Sequence, residues 1–277
     1  MIATTLADRH VAPRIWQCSV TVRLLSPLHV GAGKPRALAI DAAIVRDKQD
    51  HPYVPASTIR GAMRAALDAI LPLNSTVGRL WSCHRAVQEP TCPSVPGSGG
   101  YNALRSALAE HSGGESTLIS LLGERTCTAC RLFGTVWQPS LLHVSDGHFQ
   151  EVDVRTTLRD INAIDRMTGV SHDNTHVVIE TAESHQSFTF NIDAHLSHPQ
   201  EELAFALLLS QGRGGFWWIG GKQRLGFGHC QVEGIVAHAL NWPESSAAER
   251  QEFLLSGTLP LRDVAQFLQQ QLALLVD

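Results

Sequence analysis

WQCSVTVRL, residues 16–24, alternates apolar Trp16, Cys18, Val20, Val22 and Leu24 with polar Gln17, Ser19, Thr21 and Arg23. Successive side chains of an extended chain point to opposite faces, so this stretch predicts a strand with one buried face. Phe188, Phe190, Ile192, Ala194 and Leu196 alternate in the same way, and Cys230 and Val232 start a final strand. Between these lie helical patterns. Ser57 stands where it can cap a helix whose apolar face is Ile59, Met63, Ala66, Leu67, Ile70 and Leu71, ended by Pro72 and Asn74. Arg60 and Arg64 sit one turn apart on that helix and read as reaching outward. Ser197, His198, Pro199 and Gln200 open a second helix with Leu203, Ala206, Leu207 and Leu208, stopped by Gly212. The order strand, helix, strands, helix, strand predicts an α+β fold, an antiparallel sheet backed by helices.

Smaller elements surround this frame. A short helix is expected near residues 101–110, an apolar piece at 118–122, a short strand at 177–180, and two closing helices over 244–255 and 261–275. Residues 81–100 are rich in Cys, Pro and Gly without any period and read as an inserted loop. Residues 155–180 are mostly polar and are expected to project from the sheet.

The chain has 277 residues, 44% of them hydrophobic, which suffices for a sizeable core. No apolar run reaches the roughly 18 residues of a membrane span. The start MIATTLADRH shows no positive segment leading into an apolar one, so a cytoplasmic protein with no membrane partner is expected. The formal charge of −4 excludes a uniformly basic nucleic-acid clamp. The distribution is uneven, however. Residues 1–80 hold ten Lys or Arg against five acids, 81–230 ten against fifteen, and the remainder two against six. A polyanion would lie along the front half.

Two clusters carry chemistry. GRGGFWWIGGKQRLGFG, residues 212–228, has seven glycines with Arg213, Lys222 and Arg224 among them. Backbone amides in such a bend, beside three cations, can seat a phosphate backbone. It is not a nucleotide-triphosphate loop, because Gly-Lys is not followed by Ser or Thr. The structural alternative is a glycine-rich hairpin with Phe216, Trp217 and Trp218 packed into the core; Trp217 or Trp218 could also serve as a base-stacking platform. Cys127 and Cys130 form a C-x-x-C pair, the spacing at which two thiolates meet one zinc ion. Cys83 and Cys92 from the irregular insertion complete a preferred set, with His84 as an alternative to Cys83. Four protein ligands leave no open position, so such a zinc is structural. Two metal-free thiols are the plain alternative.

Five stretches in order, LLSPLHVGAG (24–33), IDAAIVRDKQDHPYVPASTIRGAMRAAL (40–67), CTACRLFGT (127–135), LRDINAIDRMTGVS (158–171) and GGKQRLGFG (220–228), resemble the RAMP-superfamily backbone subunits of type III CRISPR interference complexes. The resemblance spans about residues 14–236 and implies an RRM-like ferredoxin fold over 1–240, with a zinc-containing insertion at 75–135 and a thumb hairpin at 155–180. Residues 241–277 are left as a helical extension. It implies that copies of the chain stack on a guide RNA with other backbone, small and large effector subunits. The thumb, with Arg159, Arg166 and Met167, displaces guide nucleotides at regular intervals, with Met167 as a wedge.

The same resemblance assigns Asp41 as the residue that cleaves guide-paired single-stranded target RNA. His29, Lys34 and Arg36 lie in its basic approach, and Asp47 matches a position that shapes the loop. An unshifted carboxylate is a poor base at neutral pH, so Asp41 is read as an Mg²⁺ anchor while the ribose 2′-hydroxyl attacks. Relatives commonly carry two glycines just before that aspartate, where this chain has Leu38, Ala39 and Ile40. The RNA-binding set is therefore His29, Lys34, Arg36, Arg60, Arg64, Arg159, Arg166, Met167, Arg213, Lys222 and Arg224. The competing functions are a guide-binding subunit that does not cut, a guide-processing endonuclease using His29, and an interaction protein without RNA.

Overall fold

The computed structural model describes residues 13–33, 40–71, 80–83, 92–94, 97–110, 122, 125–151, 153–171 and 175–275. Its central strand is β1 (Arg14–Leu24), with Trp16, Cys18, Val20, Val22 and Leu24 all buried. One edge of β1 pairs antiparallel with β7 (Ser187–Leu196), from Arg14 opposite Leu196 to Arg23 opposite Ser187. The other pairs with β9 (His229–Asn241), with a register shift at Thr21 and Val22. Beyond β7 lie β3 (Leu142–Val144), β4 (Gly147–Phe149) and, paired to β4, β2 (Tyr53–Val54). Beyond β9 lies β10 (Leu261–Arg262), while β8 (Trp217–Trp218) pairs with the start of β9.

Helices α1 (Ala56–Ile70) and α4 (Pro199–Arg213) follow β1 and β7 in the chain. Their buried residues, Ile59, Met63 and Leu67 from α1 and Leu203, Phe205, Leu208 and Leu209 from α4, join the inward faces of the strands in one core. The spatial order β9-β1-β7-β4 with two helices in the crossovers is the mixed α+β, ferredoxin-like arrangement. Each fully buried Phe or Leu of this core contributes about 1.5–3 kcal/mol of transfer free energy.

Several local expectations shift. Ser57 does not cap α1. The N-cap position is Pro55, and the Ala56 N–H is taken by Asp146 Oδ1 at 2.7 Å from the turn between β3 and β4. For α4 the cap is His198, with Pro199 in the first turn and Glu201 Oε2 accepting the N–H groups of Ser197 and His198. Gly212 lies within α4, which is capped at Gly214, rather than stopping it; glycine is kept there because a Cβ would meet Trp217 and Val232 at under 3 Å. The expected helix over 261–275 is split: Leu261–Arg262 is the edge strand β10. Asp263 then caps α6 (Val264–Ala273) by accepting from Ala265 and Gln266. Before it, α5 (Ala247–Ser256) opens on a Ser246–Glu249 capping box. In the insertion, α2 (Gly99–Glu110) and α3 (Thr128–Phe133) are formed, while most of 118–122 lies outside the described residues.

The mostly polar stretch forms its own two-stranded sheet, β5 (Thr156–Ile161) against β6 (Val177–Ala182). β6 also reaches back to the body: Ala182 bridges Leu28, and Ile179 bridges Ala42 in parallel. No helix among the described residues is long and apolar enough to cross a membrane.

Candidate metal centre and nucleic-acid interface

Cys127 is the N-cap of α3 and Cys130 its third residue, so the start of the helix aims both sulfurs to one side. Cys83 and Cys92 meet them there. The four Sγ atoms lie within 4.8 Å of one another, with Cys83 and Cys130 at 3.6 Å, and all four residues are buried. A tetrahedron with Zn–S near 2.3 Å has sulfurs roughly 3.8 Å apart. The spacing fits, and the donor set of four buried sulfurs is that of a structural zinc. None of these cysteines is in a disulfide.

The sulfurs are tied to one another and to the backbone. Cys130 N–H points at Cys127 Sγ (3.4 Å), Cys127 N–H at Cys92 Sγ (3.5 Å), and Ser94 Oγ lies 2.9 Å from the sulfurs of both Cys92 and Cys130. Contact with Cys127 draws Cys92 and Cys130 below the ordinary thiol value, whereas contact with Cys130 and the other sulfurs pushes Cys127, and on balance Cys83, above it. The sulfurs interact as one acid, and a divalent cation bound there would replace the protons they share. His84 lies outside the described residues.

Arg60 and Arg64 do not reach outward, which corrects the sequence reading. Arg64 Nη2 donates to Cys130 Sγ at 3.1 Å, and its Nε lies 3.5 Å from Asp68 Oδ2. Burial by itself would lower its pKa, but the Cys130 charge and hydrogen bond outweigh that and raise it. Arg60 donates to the Phe133 carbonyl at the end of α3, and burial lowers its pKa. Both turn toward α3 because buried sulfurs and carbonyls there need donors.

The glycine-rich segment closes on the exit of β1. Gly221 N–H donates to His29 O, Gly228 N–H to Pro27 O, and Ile219 N–H to Gly228 O, all at 2.8 Å. Gly220 and Gly228 have φ of 85° and 81°, and a Cβ would fall 2.4 Å from His29 O and 1.9 Å from Ile219 O respectively. Only glycine permits this approach. The clasped loop leaves Arg213, Lys222 and Arg224 exposed. Trp217 is fully buried, whereas Phe216 and Trp218 are exposed, so the core claims one of the three aromatics.

His29 is buried, with Nδ1 2.8 Å from Glu180 O. Glu180 itself pairs with Arg46 Nη2 at 2.5 Å and accepts the Ile44 N–H at 3.1 Å. Both residues were missed in the sequence. The available signal was a lone carboxylate inside the apolar run VVIETA, which a buried strand tolerates only when paired. Asp41 is exposed at the root of the hairpin, and its Oδ2 accepts the Val178 N–H at 2.8 Å. Asp47 caps its own turn by accepting from Gln49 and His51, and the His51 amide chiefly holds its pKa down. Lys34 and Arg36 lie outside the described residues.

In the hairpin, Arg159 Nε lies 3.3 Å from Thr181 Oγ1 and its guanidinium 6.0 Å from the Phe227 ring of the glycine-rich loop. At the tip Asp165 Oδ1 accepts the Met167 and Thr168 N–H groups, leaving Arg166 exposed and Met167 94% exposed. The structure thus joins Arg159, the loop, His29 and the Asp41 segment along β6, and sets Arg60 and Arg64 apart with the cysteines.

The sequence profile of the RAMP superfamily matches residues 21–231, over three quarters of the chain. The chain belongs to the RAMP superfamily. None of the curated proteins compared with it matches. The RAMP match begins within β1, takes in the Asp41 segment, α1, the cysteine cluster, the hairpin and the glycine-rich loop, and ends within β9. The extension with α5, β10 and α6 lies beyond it.

Proposed function

We propose that this RAMP-superfamily chain is a guide-RNA-binding backbone subunit of a type III CRISPR effector complex that cuts guide-paired target RNA. One observation supports the binding most: Lys222 and Arg224 stand exposed on a loop whose backbone is clasped to β1, with Arg159 of the hairpin against the same loop through Phe227. Cations on a fixed backbone hold a sugar-phosphate track without reading sequence. The hairpin, with Arg166 and Met167 at its tip, lies against the strand in that track. Copies of the chain, small and large effector subunits and the target strand complete the assembly.

For cutting, the 2′-oxygen bonds to phosphorus, the P–O5′ bond breaks, the 2′-proton leaves and the departing 5′-oxygen takes one up. The products are a 2′,3′-cyclic phosphate and a 5′-hydroxyl, and DNA lacks the nucleophile. Mg²⁺, when bound, would stabilise charge on the scissile phosphate. Among the described residues the four-cysteine set is the one cluster able to hold a metal by itself, so Asp41 fits Mg²⁺ only in company with RNA oxygens. Asp41 contributes one oxygen to that role while Oδ2 fixes it to Val178.

That same bond favours a second reading, a guide-binding subunit that does not cut, with Asp41 as a cap of the hairpin root. The test of RNA binding is purification of the native complex and sequencing of its RNA, followed by Lys222→Ala with Arg224→Ala. Weakened binding on all sequences and a salt slope reduced by about 0.7 per lost single-strand contact are expected. A native complex without RNA refutes the proposal.

A further inference from the structure

A groove of about 430 Å³ runs between α1 and the glycine-rich loop. Its α1 side is made of Ser57, Thr58, Gly61, Ala65 and Ala69, a floor with no side chain larger than threonine. Its other wall is Phe216 and Trp218. These two flank Trp217 in an extended stretch, so the residue between them faces the core while both of them face out, 61% and 38% exposed. An exposed pair of large aromatics opposite a cleared helix face calls for a flat partner.

We propose that this groove seats an unpaired RNA base stacked on Trp218. The inference rests on the RNA-binding reading above and adds a base-holding site to a phosphate-holding loop. The indole is already ordered. It lies parallel to the His229 imidazole, 4.6 Å between centroids at 11°, and His229 is fixed by ring Nε2 at 3.0 Å from Gly215 O and by its backbone N–H donating to Ser26 Oγ at 2.9 Å. One indole face is covered by the imidazole and Trp218 lines the groove, so a base placed on its other face would extend a stack that exists beforehand and lose little to ordering the side chain. The occupant's charge is indicated by Lys222 and Arg224, exposed on the same loop a few residues on. Gln223, which also lines the groove, commits its Nε2 to the carbonyls of Trp218 (2.9 Å) and Gly220 (3.1 Å). With that amide nitrogen taken, the wall's main offering is a π-face, which suits a strand of varied sequence.

The test uses the full chain and labelled single-stranded RNA of about 10 nucleotides, with an abasic ribose-phosphate strand of equal length beside it. Trp218→Ala is expected to weaken binding of base-bearing RNA by about 5- to 100-fold, for uridine and adenine strands alike, and to leave abasic binding and the salt slope unchanged. Trp218→Phe retains most of the affinity. Ala65→Leu, which keeps helix propensity and fills the groove from the opposite wall, reproduces the Trp218→Ala loss. Equal loss on both strands, or no loss on the base-bearing strand, overturns the proposal. So does a loss of self-association with RNA binding intact, which would make the groove a protein interface. Failure of the wild-type chain to bind either strand would instead refute the RNA-binding reading and the stacking site with it.

Discussion

Replacing Glu180 tests what holds the Asp41 segment in place. Its carboxylate is buried, bonded to Arg46 at 2.5 Å and to the Ile44 N–H at 3.1 Å, and Arg46 is itself only 18% exposed. Glu180→Ala leaves a backbone N–H without its acceptor and a guanidinium without its counter-ion. The first costs about 1–3 kcal/mol, and breaking a buried pair about 3–5 kcal/mol in all. Because Arg46 can turn partly to water, the lower end, about 3 kcal/mol, is expected. Glu180→Gln keeps an acceptor for Ile44 and loses only the charge, costing about 1–1.5 kcal/mol, the difference between a charge-assisted and a neutral hydrogen bond. Arg46→Met with Glu180→Leu should recover most of the loss, since no unpaired charge remains. Urea unfolding with unchanged m measures all of these. Amide exchange locates them: the Val178 and Glu180 amides, bonded to Asp41 Oδ2 and Ala42 O, should exchange faster while those of β7 do not. A Glu180→Ala cost below about 1 kcal/mol, or acceleration spread evenly over the chain, would refute the reasoning.

Asp41→Asn retains an acceptor for Val178 and removes the charge, so target cleavage should fall at least about 100-fold with RNA binding and hairpin protection intact; unchanged cutting assigns Asp41 to the hairpin root alone. Cys130→Ser should abolish bound zinc as read by elemental analysis and lower the unfolding midpoint, whereas Cys18→Ser and Cys230→Ser, at buried cysteines outside the cluster, should leave the zinc content unchanged. Asp165 has its pKa held below the ordinary carboxylate value, first by the Thr168 amide and then by that of Met167. A lowered folded-state pKa gives stability that is complete above the unfolded value and lost as pH falls through the folded one. The Met167 and Thr168 amides should thus lose protection only below about pH 4, and loss nearer neutrality would contradict this.

The frame was legible because its strands alternate cleanly. Trp16 to Leu24 and Phe188 to Leu196 each put every second residue in one core, and period two has few other readings. Cys127 and Cys130 were legible for a different reason, since two thiols at that spacing on a helix start have few uses. Less visible were contacts whose partner lies far along the chain. Asp146 caps α1 across 90 residues, and Glu180 finds Arg46 across 134. Sequence proximity made Ser57 the obvious cap and made two arginines a turn apart look like a surface feature. In both cases tertiary contacts supplied better partners. Composition left open whether Phe216, Trp217 and Trp218 pack into the core or Trp217 or Trp218 offers a stacking face; the extended backbone sends alternate residues to opposite sides, which buries Trp217 and exposes Phe216 and Trp218.

Helix α1 then explains why a loss of RNA binding at its arginines needs careful reading. Its buried stripe of Ile59, Met63 and Leu67 has Arg60 and Arg64 on one side, against Phe133 O and Cys130 Sγ, and Gly61, Ala65 and Ala69 on the other, along the groove. The helix is one rigid rod between the cysteine cluster and the glycine-rich loop. Arg64→Ala removes a donor from a buried sulfur, so its effect begins at the cysteine cluster and reaches the loop only by loosening the rod. Lys222→Ala removes a solvent-exposed cation from the loop itself. The two differ in kind: loss of a phosphate contact lowers the salt slope at unchanged stability, whereas loss of the Arg64 contact lowers stability and zinc retention at unchanged slope. A reduced affinity alone cannot separate them, but the slope can, because counterion release counts only cations that touch the strand.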